Sequence, residues 1–184
     1  NWANIPGEPA LWVFLLGDMA LFSMMFGVIG FYRSHDFETF VISQALLSEA
    51  HGVLNTVLLL TGSLVVALGV QAARRGSDRW ARHYLLLGLS TGVGFCVAKW
   101  FEYSAKIDAG ISPTTNSFFT NYFVFTGLHL VHVVIGIGVL ALMWSRARTR
   151  GRLRDSMRFI EGGACYWHLV DLLWIVLFAF LYLA

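Results

Sequence analysis

Five long apolar runs separated by shorter polar stretches organise the chain, at residues 10–32, about 43–70, 84–103, 118–144 and 164–183. Even the shortest supplies the roughly 20 residues that a helix rising about 1.5 Å per residue needs to cross a hydrocarbon core of about 30 Å. The run at 118–144 is long enough to tilt. A segment in lipid must satisfy its own backbone hydrogen bonds, which favours helices, and the period-two alternation of a membrane strand is missing. The pattern therefore predicts an all-α, polytopic membrane protein, a bundle of five transmembrane helices forming a single membrane domain over residues 1–184. No internal repeat with matched broken helices and no low-complexity tract interrupts it. Ahead of the first run, Trp2, Pro6, Gly7 and Pro9 read as an interfacial lead-in. It holds no charged n-region, so no cleavable leader is expected there.

Composition agrees with the pattern: 57% of residues are hydrophobic and 13% charged, against about 25% charged in an average soluble domain. The basic residues fall unevenly between the runs. The first and third connectors carry Arg33 and Lys106, whereas the second carries Arg74, Arg75, Arg79 and Arg82, and the fourth Arg146, Arg148, Arg150, Arg152, Arg154 and Arg158. By the positive-inside rule the second and fourth connectors are cytoplasmic, which puts the N-terminus inside and the C-terminus outside. This topology accounts for the arginines, so no nucleic-acid partner is expected. The first connector, Arg33 to Phe40, reads as a polar loop with interspersed aromatics.

Ionisable residues inside the runs are expensive and ask for partners on neighbouring helices. Depths counted at about 1.5 Å per residue sort them into two layers. Asp18, His168, Asp171 and Glu161 fall in the inner half; Glu49, His51, Lys99 and Glu102 fall in the outer half. His129 lies near mid-depth, and His132 about one turn closer to the inner layer. One reading is mutual pairing that fixes helix register: Glu49 or Glu102 with Lys99 or His51 outside, and acids with histidines inside. A second is proton handling or lipid-headgroup binding, because the inner layer has three carboxylates and only histidines as internal cations. A third is metal or haem ligation by His129 and His132, which share a face, with His168, Asp171 or Glu102. The two Glu-x-x-His motifs of a di-iron bundle are not present.

Smaller signals complete the reading. Gly88 and Gly92 form a GxxxG that admits a close helix approach. Tyr166 and Trp167 read as interface anchors and Trp174 as a packing residue. Cys96 and Cys165, in apolar surroundings, read as packing residues without the spacing of a disulfide or zinc framework. No nucleophile elbow, phosphate loop or dinucleotide fingerprint is present.

Tyr166-Trp167-His168-Leu169-Val170-Asp171-Leu172-Leu173-Trp174 resembles the terminal-helix signature of subunit III of the haem-copper oxidases. Phe125-Thr126-Gly127-Leu128-His129-Leu130-Val131-His132 is similar to that family's penultimate helix, Glu102-Tyr103 to the helix before it, and Leu54-Asn55-Thr56 to the one preceding that. Five spans, rather than the seven of the long form, resemble the short branch. Within it, Pro6-Gly7-Glu8-Pro9 with Gly17-Asp18-Met19 is most similar to the accessory protein encoded with nitric oxide reductase. Where the family places a carbodiimide-reactive glutamate, this chain has Asp18. The resemblance implies a non-catalytic subunit in a bacterial inner membrane that stabilises a haem-copper catalytic subunit I, contacts other subunits of the complex, and supports its proton supply. It further implies that haem and copper are held by the partner and none by this chain, with phospholipid bound alongside.

Overall fold

The computed structural model describes residues 9–148 and 156–183, and every described element is helical. The lead-in around Trp2, Pro6, Gly7 and Glu8, and Arg150, Arg152 and Arg154, lie outside the described residues. In chain order the elements are α1 (Pro9–His35), α2 (Phe37–Gln44), α3 (Glu49–Arg74), α4 (Asp78–Asp108), α5 (Ser117–Ala147) and α6 (Met157–Phe178), the last continuing into a π turn, Ala179–Leu183. Five of these helices are long and apolar enough to cross a membrane.

The polar connector expected at Arg33–Phe40 is helical instead. α1 runs on to His35, and α2 follows after one residue because its aromatic side chains have something to pack on: Phe40 is buried edge-to-face against Phe118 at 5.2 Å between ring centroids. Ser43, placed by pattern at the start of a span, is buried at the end of α2 and accepts a 2.8 Å hydrogen bond from Asn116. Asn116 also caps α5, its side chain accepting from the Phe119 amide. This pair ties the α2–α3 corner to the α4–α5 loop.

Helices α3, α4, α5 and α6 form a closed ring in which each packs on two neighbours, and α1 lies outside against α5 and α6. Antiparallel α3 and α4 share the most extensive interface, joined by a short turn that Gly76 makes possible at φ 73. In the interior, glycines receive large side chains from across the ring. A Cβ on Gly136 would stand 2.9 and 3.0 Å from two Trp167 ring atoms, and one on Gly92 would meet the same ring at 2.7 Å. Trp167 is thus enclosed between α4 and α5 with 1% of its surface exposed. This overturns its reading as an interface anchor, and the burial of Tyr166 overturns the same reading there. The aromatics point inward because small residues opposite leave sockets for them. The GxxxG glycines serve two neighbours, Gly88 facing Val66 of α3 and Gly92 facing Trp167 of α6.

α1 contributes one narrow stripe, Leu15, Asp18, Phe22 and Ile29, while Val13, Leu16, Met24 and Phe31 face outward. Spacing of three to four residues gives one buried face, and an apolar outer face is what lipid requires.

The socket geometry yields a paired expectation. Gly136→Ile should cost about 1–3 kcal/mol through overpacking against Trp167, read as a lower thermal midpoint of the detergent-solubilised protein. Gly138→Ala, at a position with nothing within 4 Å of an added Cβ, should leave the midpoint unchanged.

Candidate functional site

Most of the ionisable groups inside the helices fall into three groupings, and buried Asn55 and His129 stand outside them. The outermost is built on α4, where Lys99, Glu102 and Lys106 follow one another at three- and four-residue spacing and so share a face. Lys99 Nζ donates to Glu102 Oε2 at 2.8 Å, to the Tyr182 hydroxyl at 3.1 Å and to the Tyr122 hydroxyl at 3.4 Å. An ammonium has three N–H donors, and all three are engaged. The other carboxylate oxygen of Glu102 accepts from Tyr122 at 2.7 Å and from Tyr182 at 2.5 Å, with Lys106 Nζ 3.7 Å away. The Trp174 ring lies under Lys99 Nζ at 4.6 Å and donates through Nε1 to Thr56 on α3. All four ring helices therefore meet at one buried ion pair. Two lysines face one glutamate, so the cluster carries a net charge of +1.

The second grouping joins α1 to the ring. His132 Nε2 lies 3.0 Å from Asp18 Oδ1, and its Nδ1 lies 2.8 Å from the Leu128 carbonyl. A carbonyl can only accept, so Nδ1 carries the ring hydrogen. The bond to Asp18 then holds one proton, on Nε2 as an ion pair or on the carboxyl as a neutral pair. Either way the pair has zero net charge. Phe22 packs edge-on to the imidazole at 5.4 Å, and Asp18 Oδ2 is buried without a hydrogen-bond partner among the described residues.

The third runs along the seam of α3 and α6 near the arginine-rich end. Arg74 brackets Glu161 Oε1 with Nε and Nη2, both at 2.9 Å. Deeper in, Ser63 Oγ is 2.6 Å from His168 Nδ1, and buried Asp171 follows His168 by three residues on the same face of α6. Glu161 thus has an arginine for a partner, not the histidines expected for it from the sequence. Counting depth had placed Arg74 in a connector, but α3 extends to it.

Between these groupings His129 is fully buried, flanked by the rings of Phe95 at 5.8 Å and Trp174 at 5.3 Å, with neither ring nitrogen hydrogen-bonded. His129 and His132 therefore face different environments, one aromatic and interior, one toward α1. With His168 held by Ser63 and Glu102 by Lys99, the coordination set considered from sequence is not assembled. Among the described residues, no three His, Cys, Asp or Glu side chains converge. Glu49 and His51 stand exposed in the first turn of α3, away from Lys99 and Glu102.

A sequence model of the family described as cytochrome c oxidase subunit III matches residues 48–184. The chain belongs to the cytochrome c oxidase subunit III family. That match begins one residue before α3 and takes in the whole four-helix ring with its ion pair. Similarity to whole relatives reaches further. Cytochrome bo(3) ubiquinol oxidase subunit 3 of Buchnera aphidicola subsp. Schizaphis graminum is 27% identical over 175 residues, spanning 94% of this chain and 91% of that protein. Quinol oxidase subunit 3 of Bacillus subtilis is 28% identical over 172 residues, 94% of this chain and 84% of that one. Cytochrome c oxidase subunit 3 of Synechocystis sp. is 29% identical over 180 residues, 93% and 72% respectively. With five apolar spanning helices, this subunit III family member is a multi-pass bacterial membrane protein.

Sequence reasoning passed over Tyr122, Tyr182, Ser63 and Lys106, which complete the buried networks of this subunit III chain. Their signal was depth. Tyr122 lies near the start of its span, and Glu102 and Tyr182 near the ends of theirs, so all three fall in one outer layer.

Charge accounting gives the expectation for the outer cluster. Glu102→Gln would leave two buried lysines without an anion and should cost about 3–5 kcal/mol, seen as loss of folded protein on detergent extraction. Lys106→Met removes the surplus buried charge and leaves a balanced Lys99–Glu102 pair, so it should be close to neutral, within about 1 kcal/mol either way.

Proposed function

We propose that this chain is the non-catalytic subunit III of a respiratory haem-copper terminal oxidase, lying against a haem-bearing catalytic subunit in a bacterial inner membrane. Membership of the subunit III family carries the reading. Relatives that span nearly all of the chain bear the names of both quinol and cytochrome c oxidase subunits. In this reading haem and copper belong to the catalytic partner, and this chain stabilises that partner and supports its proton supply. Its arginine-rich connectors face the cytoplasm, consistent with the loop charges.

Phospholipid is part of the proposal. A cavity of about 350 Å3 between α1, α5 and α6 is lined by Leu11, Phe14, Ile135 and Val139, with Arg158 at its rim. An acyl chain suits the apolar walls, and a guanidinium suits a lipid phosphate.

Purification from native membranes in mild detergent tests the assignment. A large haem-containing subunit should co-purify and show an oxidase spectrum and oxygen consumption. A chain recovered without any haem protein would overturn it, and co-purification with a nitric oxide-reducing partner would move it to that branch of the family. Within the complex, Asp18→Asn is expected to assemble normally, because an amide can donate to His132 Nε2 in place of the shared proton. Turnover should then slow or decay faster at high pH, and an unchanged profile would reduce Asp18 to a packing role.

A further inference from the structure

The seam between α3 and α6 holds a cleft of about 470 Å3, lined by Gln71, Arg74, Glu161, Ala164, Cys165 and His168 together with apolar residues of α3. Gln71, Arg74, Glu161 and His168 give this mostly apolar cleft a line of polar groups that water can reach. The Arg74–Glu161 ion pair sits at the mouth, and His168 lies two helical turns, about 10 Å, further along α6. There the cleft ends on a hydroxyl relay. Ser63 contacts His168 Nδ1, and Asp171, three residues on and on the same face of α6, is 5% exposed with Oδ1 unpaired among the described residues. Asp171 is about 21 Å from the start of α6, from fourteen residues at about 1.5 Å each, which is near the middle of the span. A carboxylate this deep, with one oxygen unsatisfied and no cation bonded to it, is costly unless it takes up a proton or a water reaches it.

The geometry points to a water-lined inlet that opens on the arginine-rich side and loads a proton onto Asp171 through His168 and Ser63. A proton arriving from water in the cleft binds His168 Nε2. The imidazolium then releases its Nδ1 proton to Ser63 Oγ as Ser63 passes its own hydroxyl proton to Asp171. The balance is one proton in and one neutral carboxyl formed, with His168 returned to neutral as the other tautomer and Ser63 unchanged. Groups facing this path are Arg74 and Ser63 from α3 and Glu161, Cys165 and His168 from α6. This deepens the proton-supply reading above and rests on it.

Cys165 is a natural reporter, because it lines the cleft whereas Cys96 lies on α4 away from it. In the intact complex carrying Cys96→Ser, a charged, membrane-impermeant thiosulfonate should modify Cys165 when added to the arginine-rich face of vesicles and not from the opposite face. Reaction only with a lipid-soluble maleimide, or with neither reagent, would overturn the inlet. Infrared difference spectra supply the second readout. A carboxylic-acid band that shifts in heavy water should vanish in Asp171→Asn, and its rapid exchange should be lost in Ser63→Ala, a truncation too small to unfold the ring, and in His168→Leu where that variant assembles. A band that survives Asp171→Asn, or exchange unaltered by Ser63→Ala, would refute loading by this route. Co-purification of the haem subunit is scored independently, so failure of the inlet and failure of the subunit assignment are distinguishable.

Discussion

Everything in the outer half of the ring depends on one buried ion pair, Lys99 with Glu102. Both side chains arise from α4, but neither can be satisfied by α4 alone. A lone ion pair in lipid would still strand an oxygen of the carboxylate and two protons of the ammonium. Tyr122 from α5 and Tyr182 from the end of α6 supply those contacts, and Trp174 closes the base of the cluster while reaching Thr56 on α3. Helix association in lipid lacks the hydrophobic drive available in water, so convergence of this kind specifies register where apolar packing alone would tolerate sliding. The tryptophan–glycine sockets act at the next level inward, fixing how closely the helices approach once their register is set.

Much of this architecture could be read from the pattern of apolar runs, since crossing a membrane leaves little choice but helices of about 20 residues. Helix ends were less accessible. Hydropathy marks where lipid begins, whereas a helix continues as far as its backbone has partners, and so α4 runs from Asp78 to Asp108 beyond the apolar 84–103. The short helix α2 was invisible for a related reason: its stability comes from Phe40 on Phe118, a contact between residues far apart in sequence. Depth counting brought Asp18 and His132 to one level, and they meet. It did not pair Glu161 with Arg74, because the arginine was assigned to a loop. Trp167 was misread because aromatics at span ends and aromatics in sockets look alike until Gly92 and Gly136 are seen opposite them.

The two ends of the ring differ in a way that bears on function. In the Lys99–Glu102 cluster the contacts run from 2.5 to 3.4 Å and aromatic rings close it off, while the amide of buried Asn55 on α3 has no hydrogen-bond partner among the described residues. At the arginine-rich end there is a cleft, a relay-competent hydroxyl and a carboxylate oxygen without a partner. Between them lie Phe95, His129 and Trp174, a layer of rings in mutual contact at 4.9 to 5.8 Å. The Phe95 and Trp174 rings close around the His129 imidazole and leave both its nitrogens without a hydrogen-bond partner among the described residues, so no hydrogen-bonded chain passes through it. The inlet proposed above enters from the arginine-rich side and stops at Asp171, so it would hold a proton there without crossing the bilayer. Under the subunit assignment proposed above, a hydrogen-bonded file continuous from Glu161 to Glu102 would be a proton leak, and the unbonded His129 layer breaks that file.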